Sequence, residues 1–152
     1  MKEPLFSRVL RYALYITFVV GLAGSMSLPF TIDEFFRLFR GTYLLVPAYR
    51  AFILPFLMTL AVPCLWVVME MILMLHSISN GPFVKRNVTA LYRVGVVLLV
   101  MSVMFFVSMI WHRSIIVFAG GFFAVGAGLF SFTFAELIRQ AILFREENEL
   151  TI

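Results

Sequence analysis

Apolar and polar positions divide this chain into four long uncharged runs joined by charged segments. The runs extend from Tyr12 to Phe30, Ala51 to Met69, Val94 to Trp111 and Ser114 to Ala135, each at least 18 residues long. A bilayer's hydrocarbon core is roughly 30 Å thick, and a helix rising about 1.5 Å per residue needs about 20 residues to cross it. Hydrocarbon offers no hydrogen-bond partner to an exposed backbone, so runs of this length are predicted to be helices. The expected fold is all-α: an integral membrane four-helix bundle in one domain, residues 1–152, with spans at about 12–31, 51–75, 94–111 and 114–138.

The connecting segments refine this outline. Thr31-Ile32-Asp33-Glu34 has capping-box spacing ahead of Phe35, Phe36, Leu38 and Phe39, which predicts a short amphipathic helix lying on the outer surface. Gly41 would end it. In the middle loop, Asn80-Gly81-Pro82-Phe83 signals a chain reversal. After it, Val84, Val88, Leu91 and Gly95 recur at helical spacing, with Lys85, Arg86 and Asn87 on another face. This predicts an amphipathic lead-in running straight into span three. Only His112 and Arg113 separate Trp111 from Ser114, so spans three and four should form a tight antiparallel hairpin.

Within the spans, Pro55 and Pro63 each remove a backbone donor from span two, and a bend near Pro63 is expected. Span four carries Gly120, Ala124 and Gly128 four residues apart, followed by Ser131 and Ala135. Small residues on one face let helix backbones approach closely in lipid. The stripe suits packing within the bundle; a homodimer seam is the alternative. Span four then extends as an amphipathic helix through Leu137, Ile138, Ala141, Ile142 and Phe144.

Composition changes the picture in one respect: it rules out a water-soluble body. Hydrophobic residues make up 62% of the 152 residues and charged ones 13%, with 18 phenylalanines, against about 45–50% and 25% in soluble domains. The net charge of +4 matters through its distribution, because Lys and Arg favour the cytoplasmic side. Lys2, Arg8, Arg11, Lys85, Arg86, Arg93, Arg139 and Arg145 share one side of a four-span chain; Arg37, Arg40, Arg50 and Arg113 share the other. Both termini are therefore expected in the cytoplasm. Ala23-Gly24-Ser25 imitates a signal-peptide cleavage site, but the apolar run continues to Phe30, so span one is read as retained. No basic soluble module is visible, and direct nucleic-acid binding is not expected.

Chemistry is sparse. Cys64 is the single cysteine, so neither an internal disulfide nor a dithiol is possible. His76 and His112 lack further ligands at metal-binding spacing, and phosphate-loop, nucleophile-elbow and zinc-protease motifs are missing. Neither an enzyme nor a cofactor is expected. Glu70 and Glu136 are the candidate intramembrane polar site, since charged groups among apolar spans are functional candidates by default. Arg93, Arg139 and His76 are their expected partners. The tail Arg145-Glu146-Glu147-Asn148-Glu149-Leu150-Thr151-Ile152 concentrates carboxylates beside the last span and reads either as a solvated helix end or as a docking peptide.

Two stretches carry a family resemblance: Asn80-Gly81-Pro82-Phe83 with Asn87, Leu91 and Gly95, and the terminal Arg145 to Ile152. Both resemble the bacterial membrane family catalogued as domain of unknown function 2975. The resemblance implies a bacterial inner membrane, no assigned activity, and pairing with a small helix-turn-helix transcription regulator. The expected role is regulatory, docking a cytoplasmic partner. A small transporter or ion-conducting oligomer using Glu70 and Glu136, or a structural subunit of a larger membrane complex, are the alternatives.

Overall fold

The computed structural model describes residues 5–38, 47–78, 85–111 and 115–149. All of them are helical, in α1 (Leu5–Leu38), α2 (Pro47–Ile78), α3 (Lys85–Trp111) and α4 (Ile115–Glu149). The fold is all-α, and all four helices are long and apolar enough to cross a membrane. The described residues divide into two compact units, one over 5–69 and the other over 70–149.

In the first unit, α1 continues without a break past residue 31 to Leu38. The separate surface helix expected from the Thr31 capping box does not begin there. Thr31 is an interior helical residue whose Oγ1 donates to the Ser27 carbonyl at 2.9 Å. A capping box needs its first residue outside the helix, and nothing between Phe30 and Thr31 breaks this one. Thr17 and Ser25 likewise donate to Ala13 and Gly21 carbonyls, at 2.9 and 2.6 Å. Each hydroxyl is thus satisfied within its own helix, as an apolar medium requires. Val19 and Val20 remain more than 60% exposed to any solvent the chain meets. Gly21 of α1 meets the Leu65 side chain of α2, where an added Cβ would lie 3.1 Å from Leu65 Cδ2. Pro29 lies inside α1, and Pro55 and Pro63 inside α2. Neither helix is terminated by them, although each proline leaves one carbonyl of the preceding turn without its usual donor.

The second unit contains the last turns of α2, with Ile72, Leu75 and Ser77 buried, and the hairpin of α3 and α4. Only residues 112–114 separate these two helices, so they are antiparallel neighbours, as the sequence predicts. The lead-in expected before span three is the first part of α3, which begins at Lys85.

The hairpin is held by a seam with a seven-residue interval. On α3 the buried positions are Asn87, Val94, Met101 and Ser108, flanked by Val88, Ala90, Gly95 and Ser102. On α4 they are Gly121, Gly128, Ala135 and Ile142, alternating with Ala124 and Ser131. Intervals of three and four keep a stripe on one side of a helix with 3.6 residues per turn. Repeated steps of four drift around it. This is why the buried seam passes through Gly121, whereas Gly120 of the expected stripe flanks it against Phe105. Contact is closest at Gly128, where an added Cβ would lie 3.2 Å from the Gly95 carbonyl oxygen, and at Gly95, where it would meet the Phe132 ring at 2.8 Å. Ser131 Oγ donates across the seam to the Leu91 carbonyl at 2.8 Å.

Candidate functional site at the open end of the hairpin

The 35 residues of α4 span about 52 Å, well beyond the roughly 30 Å of a hydrocarbon core. The uncharged stretch ends at Ala135, and Glu136 is the first charge on the helix. On α3 the corresponding change falls at Arg93, after which the sequence is uncharged to Trp111. Beyond these residues, at the end away from the 112–114 connection, the hairpin continues as paired helices.

The seam changes chemistry at the same level. Within the uncharged stretch, α4 presents Gly121, Ala124, Gly128, Ser131 and Ala135. From Ala135 outward, Val88 and Ile142 join it in a buried apolar cluster with Leu91 and Ile138 packed against it. Small side chains suit a seam in lipid, where close backbone packing is the main attraction. Branched aliphatic side chains suit one in water, where burying apolar area is itself favourable. Two independent features, the first charge and the change of seam, therefore mark one boundary.

Glu136 sits at that boundary and gathers three donors. Arg139 Nε donates to its Oε2 at 2.9 Å and an Arg139 terminal nitrogen to its Oε1 at 2.8 Å, a two-pronged pair. Gln140 Nε2 donates to Oε1 at 3.3 Å, and the Tyr92 hydroxyl donates to Oε2 at 3.1 Å from α3. The Glu136 and Arg139 side chains are 38% and 57% exposed, which places the pair at a surface rather than in a sealed cavity. Farther out, Lys85 Nζ lies 3.2 Å from Glu146 Oε1, joining the start of α3 to the end of α4. Asn87, only 2% exposed, is the most buried polar residue described.

These contacts sort the candidate residues. Glu136 and Arg139 come together as expected. Arg93 is exposed and outside the cluster, and Glu70, half-buried on α2, takes part in none of its bonds. Tyr92 and Gln140 were not anticipated. Gln140 was within reach of inference, because residues four apart on a helix are neighbours; Tyr92 required the α3–α4 register. Of the tail, Arg145, Glu146, Glu147 and Asn148 are exposed residues of α4, and the helix runs to Glu149. Leu150, Thr151 and Ile152 lie outside the described residues, as do Asn80, Gly81, Pro82 and Phe83 of the middle loop. Gly120, Ala124 and Gly128 all pack within the hairpin. Among the described residues no group of three or more His, Cys, Asp or Glu could hold a metal ion.

Comparison with protein-family models, with curated proteins and with solved structures finds no match.

Proposed function

We propose that this chain is a non-enzymatic, regulatory membrane protein whose hairpin of α3 and α4 displays a docking surface to a soluble cytoplasmic partner. The observation that carries this reading is the projection of both helices beyond their uncharged stretches as a stalk with its own apolar cluster, built on Val88, Ala135 and Ile142. A span needs only to reach the membrane surface. A paired extension that buries apolar area beyond it holds a polar exterior in fixed geometry. That exterior carries Arg145, Glu147 and Asn148 on α4, all exposed. The Lys and Arg distribution supports a cytoplasmic location for this end. The resemblance of the terminal residues to the bacterial family named above supports a helix-turn-helix regulator as the partner.

The arrangement around Glu136 gives less support to ion conduction. Arg139, Tyr92 and Gln140 already occupy both carboxylate oxygens, and Glu70 is not joined to them.

The test is whether a soluble helix-turn-helix protein co-purifies from native membranes with the full-length protein and not with a variant lacking Arg145 to Ile152. The deletion is expected to abolish recovery of the regulator while the protein stays in the membrane. Undiminished recovery would overturn the reading.

A further inference from the structure

Four basic residues of the hairpin fall into two groups. Lys85 and Arg139 are matched by carboxylates on α4, at 3.2 Å from Glu146 and 2.8 Å from Glu136. Arg86 and Arg93 are exposed and enter no ion pair with a described residue. α3 itself contains no acidic residue, so it cannot supply the missing anion. Arg86 and Arg93 are seven residues apart, two turns along one side of the helix and about 10 Å in rise. Long flexible side chains at that spacing can converge on one group lying between them.

What lies next to Arg93 identifies that group. Toward the 112–114 connection the same side of α3 becomes an exposed ridge of Val96, Val100 and Val103, each more than half exposed. An apolar ridge that ends in two arginines, at the level where the uncharged stretch of the helix begins, has the two-part chemistry of a phospholipid. Guanidinium groups bind phosphate through paired hydrogen bonds and retain their charge at a membrane surface.

We propose that Arg86 and Arg93 form a binding site for the headgroup of an anionic phospholipid, whose acyl chains lie along Val96, Val100 and Val103. The site needs only that α3 crosses a membrane and is independent of any protein partner. Loss of docking in the tail-deletion experiment would leave it untouched.

The experiment measures lipid retention by native mass spectrometry of the full-length protein in an equimolar mixture of phosphatidylglycerol and phosphatidylcholine. Wild type is expected to retain phosphatidylglycerol preferentially. Basic residues near a membrane surface favour anionic lipid by about fivefold each, so Arg93→Gln should lower the preference about fivefold and Arg86→Gln with Arg93→Gln roughly 25-fold. The control pair Arg8→Gln with Arg145→Gln removes the same charge elsewhere and should lower the preference far less than the double variant at Arg86 and Arg93 does. An equal fall in that control would reduce the effect to bulk charge and overturn the site.

Millimolar inorganic phosphate should not displace the lipid; if it does, the site takes a soluble anion and the lipid assignment fails. A second measurement needs no variant. Phosphatidylglycerol should raise the thermal transition of wild type and phosphatidylcholine should not, and equal responses would refute the proposal.

Discussion

The closest backbone approach in the hairpin yields a quantitative prediction, tested by replacing two glycines of the same helix. At Gly128 an added Cβ would lie 3.2 Å from the Gly95 carbonyl oxygen and 3.2 Å from Leu99 Cγ, whereas at Gly126 it would meet nothing within 4 Å. Both residues are interior to α4, so Gly→Ala brings each the same gain in helix propensity, about 1 kcal/mol. The difference between the variants therefore isolates the seam. At Gly128 one obstacle is main chain, which can give way only if α3 and α4 move apart by a few tenths of an ångström. Overpacking of this kind costs about 1–3 kcal/mol, because separating the helices weakens many contacts worth about 0.1–0.2 kcal/mol each. Gly126→Ala should thus be neutral or stabilising by up to about 1 kcal/mol. Gly128→Ala should fall about 1–3 kcal/mol below it. Equilibrium unfolding in mixed detergent micelles, followed by circular dichroism, measures both. If Gly128→Ala proves as stable as Gly126→Ala, α3 and α4 do not meet as described.

Three further outcomes are expected. Ser131→Ala removes the only hydroxyl described as bonding from α4 to α3 and should cost about 0.6 kcal/mol, within a ceiling of about 1.7; Ser102→Ala and Ser108→Ala, whose hydroxyls donate within α3, should cost less in the same unfolding assay. A double-mutant cycle on Lys85 and Glu146, 81% and 52% exposed, should give a coupling below about 1 kcal/mol that fades with added salt. A coupling well above that, or one indifferent to salt, would contradict a solvated pair. Proton and cation flux into liposomes should match protein-free background for wild type and for Glu136→Gln alike, and flux that wild type supports and the variant loses would restore the transport alternative.

Much of the architecture was legible from uncharged length alone. Four runs of at least 18 residues leave little choice of element in a medium without hydrogen-bond partners, and α3 begins where the amphipathic lead-in was expected. Local signals were weaker guides. The Thr31 capping pattern is satisfied equally well by a continuing helix, since its hydroxyl can turn back to the Ser27 carbonyl. The stripe of small residues was visible, but a four-residue step follows Gly120 off the buried face while the seam holds to Gly121. At the boundary site, Arg139 was readable three residues from Glu136 along one helix. Tyr92 was not, because its place depends on how α3 slides against α4, and side-chain spacing along a single helix does not encode that register.

The change in the seam near Ala135 has a consequence for how deeply the protein sits. A helix that is apolar throughout can bob along the bilayer normal at little energetic expense. Here glycine and alanine give way to isoleucine along α4 where the charges begin, so upward or downward displacement would expose the wrong filling to the wrong solvent. The pair of helices carries its own waterline. Thicker or thinner bilayers should therefore be met by tilting of the hairpin and by deformation of the surrounding lipid, with Glu136 staying at the headgroup level throughout.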